Sequence, residues 1–221
     1  MKKIDIGVFS IARVSSSRCE NKMTRPFADR TLSDIAIERL SKVEANVFFA
    51  GYESYFKNTC QSYNVPFVQR TKESALSNGP VSEVFSFILD QPYEYFLLVS
   101  ACFPFLRPES VTSFIDICLK DDRPKFAVLR KNNYFTDIGG EPYNFEMGKM
   151  LDTKTISPIY EFAHVFYFFK KSHLVDNGTF WDWNDVRYIE IDDNMEAFDI
   201  DTEEQFQMAE AMWKGLNSKR Q

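Results

Sequence analysis

Through its first 120 residues the chain alternates short apolar runs with amphipathic stretches, and no other feature restricts its fold as much. Ile4–Ile11, Asn46–Ala50, Val65–Gln69 and Tyr95–Ser100 read as strands, with Gly51 ending the second. Between them, Leu32–Val43, Tyr52–Tyr63 and Val81–Leu89 read as helices; Val81, Val84, Phe85 and Ile88 fall on one helical face. A proline-initiated helix is predicted at Pro108–Leu119. Strands separated by helices pair in parallel through right-handed crossovers, and their helices cover both faces of the sheet. The expected class is therefore α/β, with a mainly parallel sheet.

Past Lys125 the pattern changes. Strands are expected at Phe126–Arg130, Ile159–Lys170 and Tyr188–Ile191. Tyr134–Ile138, Gly139-Gly140 and Glu141–Phe145 read as a β-hairpin, and no strong helix is expected until Thr202. A length of 221 residues with 44% apolar content suffices for one sizeable core, and no linker divides it, so 1–221 reads as a single domain.

Composition excludes several function classes. The net charge of -6 argues against nucleic-acid and anionic-membrane partners. No run of about 20 uncharged apolar residues is present, and Asp5 interrupts the N-terminal apolar run of a secretory signal, so the expected location is cytoplasmic. Cys19, Cys60, Cys102 and Cys118 are scattered without metal-ligand spacing, and reduced thiols are expected. Cys102 and Cys118 read as core packing, Cys19 as an exposable loop residue. With 22 Phe and 10 Tyr, most aromatics must lie in the core, and a surplus suits a subunit interface.

Two segments carry chemistry. Ile11-Ala12-Arg13-Val14-Ser15-Ser16-Ser17-Arg18-Cys19-Glu20-Asn21-Lys22 joins the first strand to the first helix. Such a loop offers backbone N–H groups, hydroxyls and three cations, as a polyphosphate requires. It has neither the Walker spacing nor the dinucleotide-binding glycines. Near the other end, Asp199 and Asp201 lie two apart in an extended piece, so both carboxylates point to one face. Thr202 then suits an N-cap, with Glu203 and Glu204 in the first helical turn. Two such carboxylates repel unless a cation sits between them, and Mg²⁺ takes one or two carboxylates together with phosphate oxygens.

These segments resemble motifs of the CMP-sugar synthetases, which activate sialic acid, KDO and related acids with CTP. Ala12, Arg13, Ser16, Arg18 and Lys22 fall on that family's A-R-x-x-S-x-R-x-P-G-K loop, with Glu20 and Asn21 in place of Pro-Gly. The stretch from Asp199 to Glu210 is similar to its closing motif, D-[IL]-D-T-x-x-[DE]-[FW]-x-x-A-E. Leu97–Arg107 resembles its L-L-Q-P-T-S-P-L-R loop through Pro104, Leu106 and Arg107, with Ser100 at the Gln and Ala101-Cys102-Phe103 replacing Pro-Thr-Ser. Arg70 stands where the family has an Arg-Pro pair, and Ala163 to Tyr167 loosely follows its N-G-A-x-Y-[IV]-F segment.

The resemblance implies a Rossmann-like mixed sheet of the nucleotide-diphospho-sugar transferase type. It also implies a small β-hairpin excursion, taken here as Asn132 to about Ser157, that contributes to a homodimer. The implied activity is transfer of CMP from CTP to a small acidic, sugar-type acceptor with release of pyrophosphate, for surface glycan synthesis. Arg13, Lys22 and Asp201 would be catalytic; Ala12, Arg13, Ser16, Arg18, Lys22 and Arg70 would bind nucleotide. Ser100, Arg107 and His164 would bind the acceptor, and Asp199 and Asp201 would hold Mg²⁺. For His164 the residues themselves favour a structural hydrogen-bonding role over acceptor binding. Two other functions stay open: a cytidylyltransferase for a phosphonate or polyol acid, and a non-catalytic member that binds nucleotide or a partner.

Overall fold

Side-chain alternation along the strands assigns the two faces of the sheet. In the computed structural model, which describes residues 6–150 and 152–218, seven strands form one sheet. They are β1 (Ile6–Ile11), β2 (Asn46–Gly51), β3 (Phe67–Gln69), β4 (Tyr95–Val99), β5 (Lys125–Lys131), β6 (Ile159–Lys170) and β7 (Arg187–Glu190). Their spatial order is β3-β2-β1-β4-β6-β5-β7. β6 runs antiparallel to β4 and β5, and every other neighbouring pair is parallel. This is the expected mixed, mainly parallel sheet. The chain leaves β1 toward β2 on one side and later returns to β4 on the other. That reversal opens a crevice beyond the C-terminal ends of β1 and β4, the usual place for a ligand in such sheets.

Val8, Phe49, Leu97 and Val99 pack on one face. They meet α1 (Leu32–Ser41), α2 (Ser54–Ser62), α5 (Pro108–Cys118) and α7 (Glu203–Ser218) through Ile35, Phe56, Phe114 and Phe206. The alternate residues Phe9, Phe48, Phe96 and Leu98 pack on the other face against Phe85, Phe87, Ile88, Leu174 and Phe180. Phe9 stacks on Phe48 at 5.3 Å and meets Phe85, Phe87 and Phe96 edge-on. The abundant phenylalanines thus fill a two-sided core. α1 starts at a reciprocal cap: Asp34 N–H donates to Thr31 Oγ1 and Thr31 N–H to Asp34 Oδ2.

Three expectations need correction. The helix predicted over Val81–Leu89 breaks into α4 (Val81–Val84) and a 3-10 turn at Ser86–Ile88. The Val84 carbonyl, which a continuing helix would offer to Ile88, accepts instead from Arg70 Nη2 and Ser74 Oγ. A short α3 (Lys72–Leu76), capped by Thr71, precedes it unforeseen, and α6 (Lys171–Asn177) follows β6 directly. The hairpin at Tyr134–Phe145 does not form two strands. It is a loop with one bridge, Thr136 to Pro142, in which Asp137 N–H donates to Glu141 O and Tyr143 N–H to Phe135 O. Pro142 lacks a donor, and the side chains of Asn144 and Asp137 take up backbone groups that a ladder would use. Of the first predicted strand, Ile4 and Asp5 lie outside the described residues. Among the described residues no helix is long and apolar enough to cross a membrane.

Phe9 is fully buried and touches four other rings. Phe9→Ala should lower unfolding stability by about 3–5 kcal/mol, read as a shifted urea midpoint at an unchanged slope.

Candidate active site

The loop after β1 is fastened before it reaches any ligand. Ala12 N–H donates to Ala50 O at 3.4 Å, and Val14 N–H to Glu53 Oε1 at 3.1 Å. The turn is made at Asn21, whose φ is +52°; asparagine tolerates this left-handed conformation better than most residues with a side chain, which is how a loop without glycine closes here. Thr24 and Arg25 N–H both donate to Asn21 O. Met23 O then accepts from the N–H and Oγ of Ser33, locking the loop to α1.

The second chemical segment meets this loop from the other end of the chain. Ile200 is fully buried, so Asp199 and Asp201 on either side of it project together away from the core. Lys22, nearly buried, donates from Nζ to Ile200 O and to Asp201 Oδ1, the latter at 3.2 Å. Arg18 Nη2 lies 3.0 Å from Asp201 Oδ2, so each Asp201 oxygen faces one loop cation. Thr202 caps α7 as expected, accepting from Gln205 N–H, while Gln205 Oε1 accepts from the Asp201 and Thr202 N–H groups. Arg25 pairs with Glu203 at 2.7 Å and lies over the Phe206 ring.

The charges are not evenly balanced. Burial tends to lower the Lys22 pKa, but Cys102 and Asp201 beside it outweigh this and raise it. Burial raises the Cys102 pKa in turn, and Asp201 is the carboxylate that faces Lys22 directly. Asp199 is pushed up to about 6, first by burial and then by the neighbouring Asp201 charge. It forms no ion pair within 4 Å among the described residues. A desolvated carboxylate beside a second one, both with hard oxygen donors, fits a site for Mg²⁺. Among the described residues no group of three or more His, Cys, Asp or Glu side chains accompanies them, so other ligands would come from substrate and water.

A cavity of about 340 Å³ opens at this point, lined by Ala12, Arg13, Ser16, Arg18, Lys22 and Arg70 among others. The structure thus brings all six residues assigned to nucleotide together. Arg13 reaches toward Leu76 O and Asn78 Oδ1, both at 3.4 Å. Arg70 is buried and its donors serve Ser74 and Val84, so it shapes the wall as much as it charges it. Its pKa is lowered to about 10, chiefly by burial.

The acceptor candidates are less unified. Ser100 N–H donates to Val165 O, which sets Ser100 beside the segment carrying His164 at the end of β4. There β6 bulges: Ala127 of β5 stands against the whole stretch Ala163–Phe166. His164 sits in the bulge with φ of +55°, exposed and hydrogen-bonded to the Tyr167 hydroxyl. Arg107 pairs with Glu196 and Asp193 and lines two other cavities, not the cationic one. Cys19 is buried against Glu203 and Arg25, not exposed, and Cys102 lines the cavity as well as packing. Glu53, which anchors the loop at Val14, was not foreseen; an acid just past the end of β2 is the only sequence signal for it.

The fold has counterparts among known proteins. A protein-family model described as cytidylyltransferase matches residues 11–217. Among solved structures, a CMP:2-keto-3-deoxy-manno-octonic acid synthetase complexed with CTP is similar at TM-score 0.72 and 11% identity, covering 95% of this chain and 98% of that one. A 4-diphosphocytidyl-2C-methyl-D-erythritol synthase from Anaerococcus prevotii gives 0.65 at 12%, over 96% and 99%. A cytidylyltransferase from Leptospira borgpetersenii gives 0.62 at 13%, over 94% and 85%. At such identities the likeness is one of fold. No match was found among curated protein sequences.

The raised Asp199 value fixes the sign of a pH effect. A carboxyl that binds its proton more tightly in the folded protein stabilises fully below pH 4, and the benefit is lost as pH rises through 6. In metal-free protein, Asp199→Asn should therefore be the more stable form at pH 8, by about 1–3 kcal/mol, and should match wild type at pH 4. Thermal unfolding at both pH values reads this; equal midpoints at pH 8 would show that Asp199 is not destabilised.

Proposed function

The chain belongs to the cytidylyltransferase family, and on that footing we propose that it transfers CMP from CTP to a small acidic, sugar-type acceptor, releasing pyrophosphate. The observation that carries the reading is the convergence of Arg13, Arg18, Lys22 and Arg70 on one cavity of an acidic protein, with Asp199 and Asp201 beside it. The loop hydroxyls and the N–H groups around Ser16 hold the phosphates. Arg13 and Lys22 stabilise charge building on the α-phosphoryl group and the departing pyrophosphate, as fixed charges that need no reorganisation. Arg18 contributes chiefly to nucleotide affinity. Asp199 and Asp201 would hold Mg²⁺, which would supply neutralisation of phosphate charge. Ser100 and His164, at the end of β4 and in the β6 bulge, face the acceptor.

A pyrophosphate-release screen tests this reading: four nucleoside triphosphates against several 2-keto-3-deoxy acids, polyol phosphates and phosphonates, with Mg²⁺ present. Release with CTP and a 2-keto-3-deoxy acid is expected; release only with another nucleotide would refute the donor, and release only with a phosphorylated acceptor would refute the acceptor class. Arg13→Ala and Lys22→Ala should each lower turnover about ten- to a thousand-fold, while Arg18→Ala should mainly raise the CTP concentration needed. Asp201→Asn should abolish turnover while leaving the fold intact, and near wild-type rates at saturating Mg²⁺ would remove Asp201 from the metal site.

The reading includes assembly. Ile138, Tyr143, Met147 and Met150 stand largely exposed on the excursion 132–157, and a two-fold dimer formed through it would cover them. Light scattering at micromolar concentration should give twice the chain mass of 25.8 kDa; a clean monomer would overturn this part.

A further inference from the structure

Arg39, in the last turn of α1, is a buried guanidinium whose partners are all carbonyls. It is 3% exposed. Nη1 donates to Phe103 O at 2.7 Å and Leu106 O at 3.5 Å, and Nη2 to Ser100 O at 3.0 Å. Nε is buried with no partner. A guanidinium buried without a carboxylate in direct contact is costly, with Glu196 acting on it beyond ion-pair distance, and its place here is set by the three loop carbonyls it satisfies. The three carbonyls belong to one loop, Ser100–Leu106, which does much in a short span. Ser100 N–H joins it to β6 beside His164, the Cys102 carbonyl accepts from Ile200 N–H, and Cys102 reaches the wall of the cationic cavity beside Lys22. α1 also holds Met23 O through Ser33, so one helix grips both the phosphate loop and this one.

We propose that Arg39 is a positioning residue that acts through the Ser100–Leu106 loop to set the Asp199–Asp201 segment against Lys22. The planar fork of the guanidinium suits this: it reaches three carbonyls from two nitrogens held in one plane, whereas an ammonium gathers its donors on a single atom. The proposal rests on the nucleotide and metal reading of the cavity, and it deepens that reading by naming what holds the two halves in register. Displacement of the loop would move Ile200, and with it the two carboxylates, while leaving the β1 loop on its own anchors at Ala50, Glu53 and Ser33.

The test compares wild type, Arg39→Lys and Arg39→Met as full chains. In Arg39→Lys, hydrogen exchange at the Ile200 amide should speed about tenfold or more, while amides within α1 and β1 keep their wild-type rates. CTP affinity without metal should stay within about twofold, and the gain in CTP affinity on adding Mg²⁺ should be lost, a misplacement effect of the kind that a shift of about 1 Å produces. Unchanged exchange at Ile200 overturns the proposal whether or not CTP binds. A uniform rise in exchange across the sheet also overturns it, since that marks a merely stabilising residue. Failure of wild type to bind CTP would refute the function proposed above, leaving Arg39 to be decided by exchange alone. Should Arg39→Met not fold, Arg39→Lys decides.

Discussion

Everything at the candidate site depends on Lys22 reaching Ile200 O and Asp201 across 178 and 179 positions of sequence. A lysine this buried needs its charge answered, and here a carboxylate and a carbonyl from the far end of the chain answer it. The same contact sets the β1 loop against the start of α7, and the Arg18–Asp201 and Arg25–Glu203 pairs brace it on either side. Without it the two chemical segments would be two surface features on one sheet. With it they share a single cavity.

The sheet explains why that cavity lies where it does. Chain reversal about β1 sends the connections of β1 and β4 to opposite sides, and the loops that leave their C-terminal ends line the cavity that opens there, with Ala75 of α3 and Val84 of α4 completing its wall. Phe9 and Val8, pointing to opposite faces, anchor β1 in two separate cores, so the loop springs from a strand held on both sides. Rigidity behind and cations in front is the arrangement that electrostatic stabilisation of a transition state requires, because fixed charges lose nothing to reorganisation.

Much of this was legible in the sequence, and for identifiable reasons. Strands such as Ile159–Lys170 announce themselves because alternation and β-branched or aromatic content are local properties. The Asp-Ile-Asp-Thr segment was equally readable: a buried Ile200 between two acids, followed by a cap, encodes geometry within four residues. What escaped was set by distant partners. The break at Val84 follows from Arg70 and Ser74 capturing its carbonyl, and nothing between Val81 and Leu89 signals that capture. Cys19 reads as a loop residue because Glu203 and Arg25, which enclose it, are not predictable neighbours. Arg107 matched a pattern, yet Glu196 and Asp193 hold it elsewhere.

The two cations on Asp201 differ in a way that orders events on the proposed function. Lys22 is held by a carbonyl as well as by Asp201, and its side chain is 11% exposed; Arg18, at 67%, pairs with Asp201 alone among the described residues. An incoming triphosphate competes with Asp201 for Arg18 far more easily than for Lys22. Were Arg18 to turn to phosphate, Asp201 would lose one of its two cations beside an Asp199 already raised by burial and by the Asp201 charge. The pair would then have greater need of a cation. On that function, nucleotide binding would strengthen the demand for a cation at Asp199 and Asp201, and by linkage a cation there would favour release of Arg18 to the phosphates. Lys22 keeps the two halves together throughout, which is why the less exposed of the two cations is the one that joins the ends of the chain.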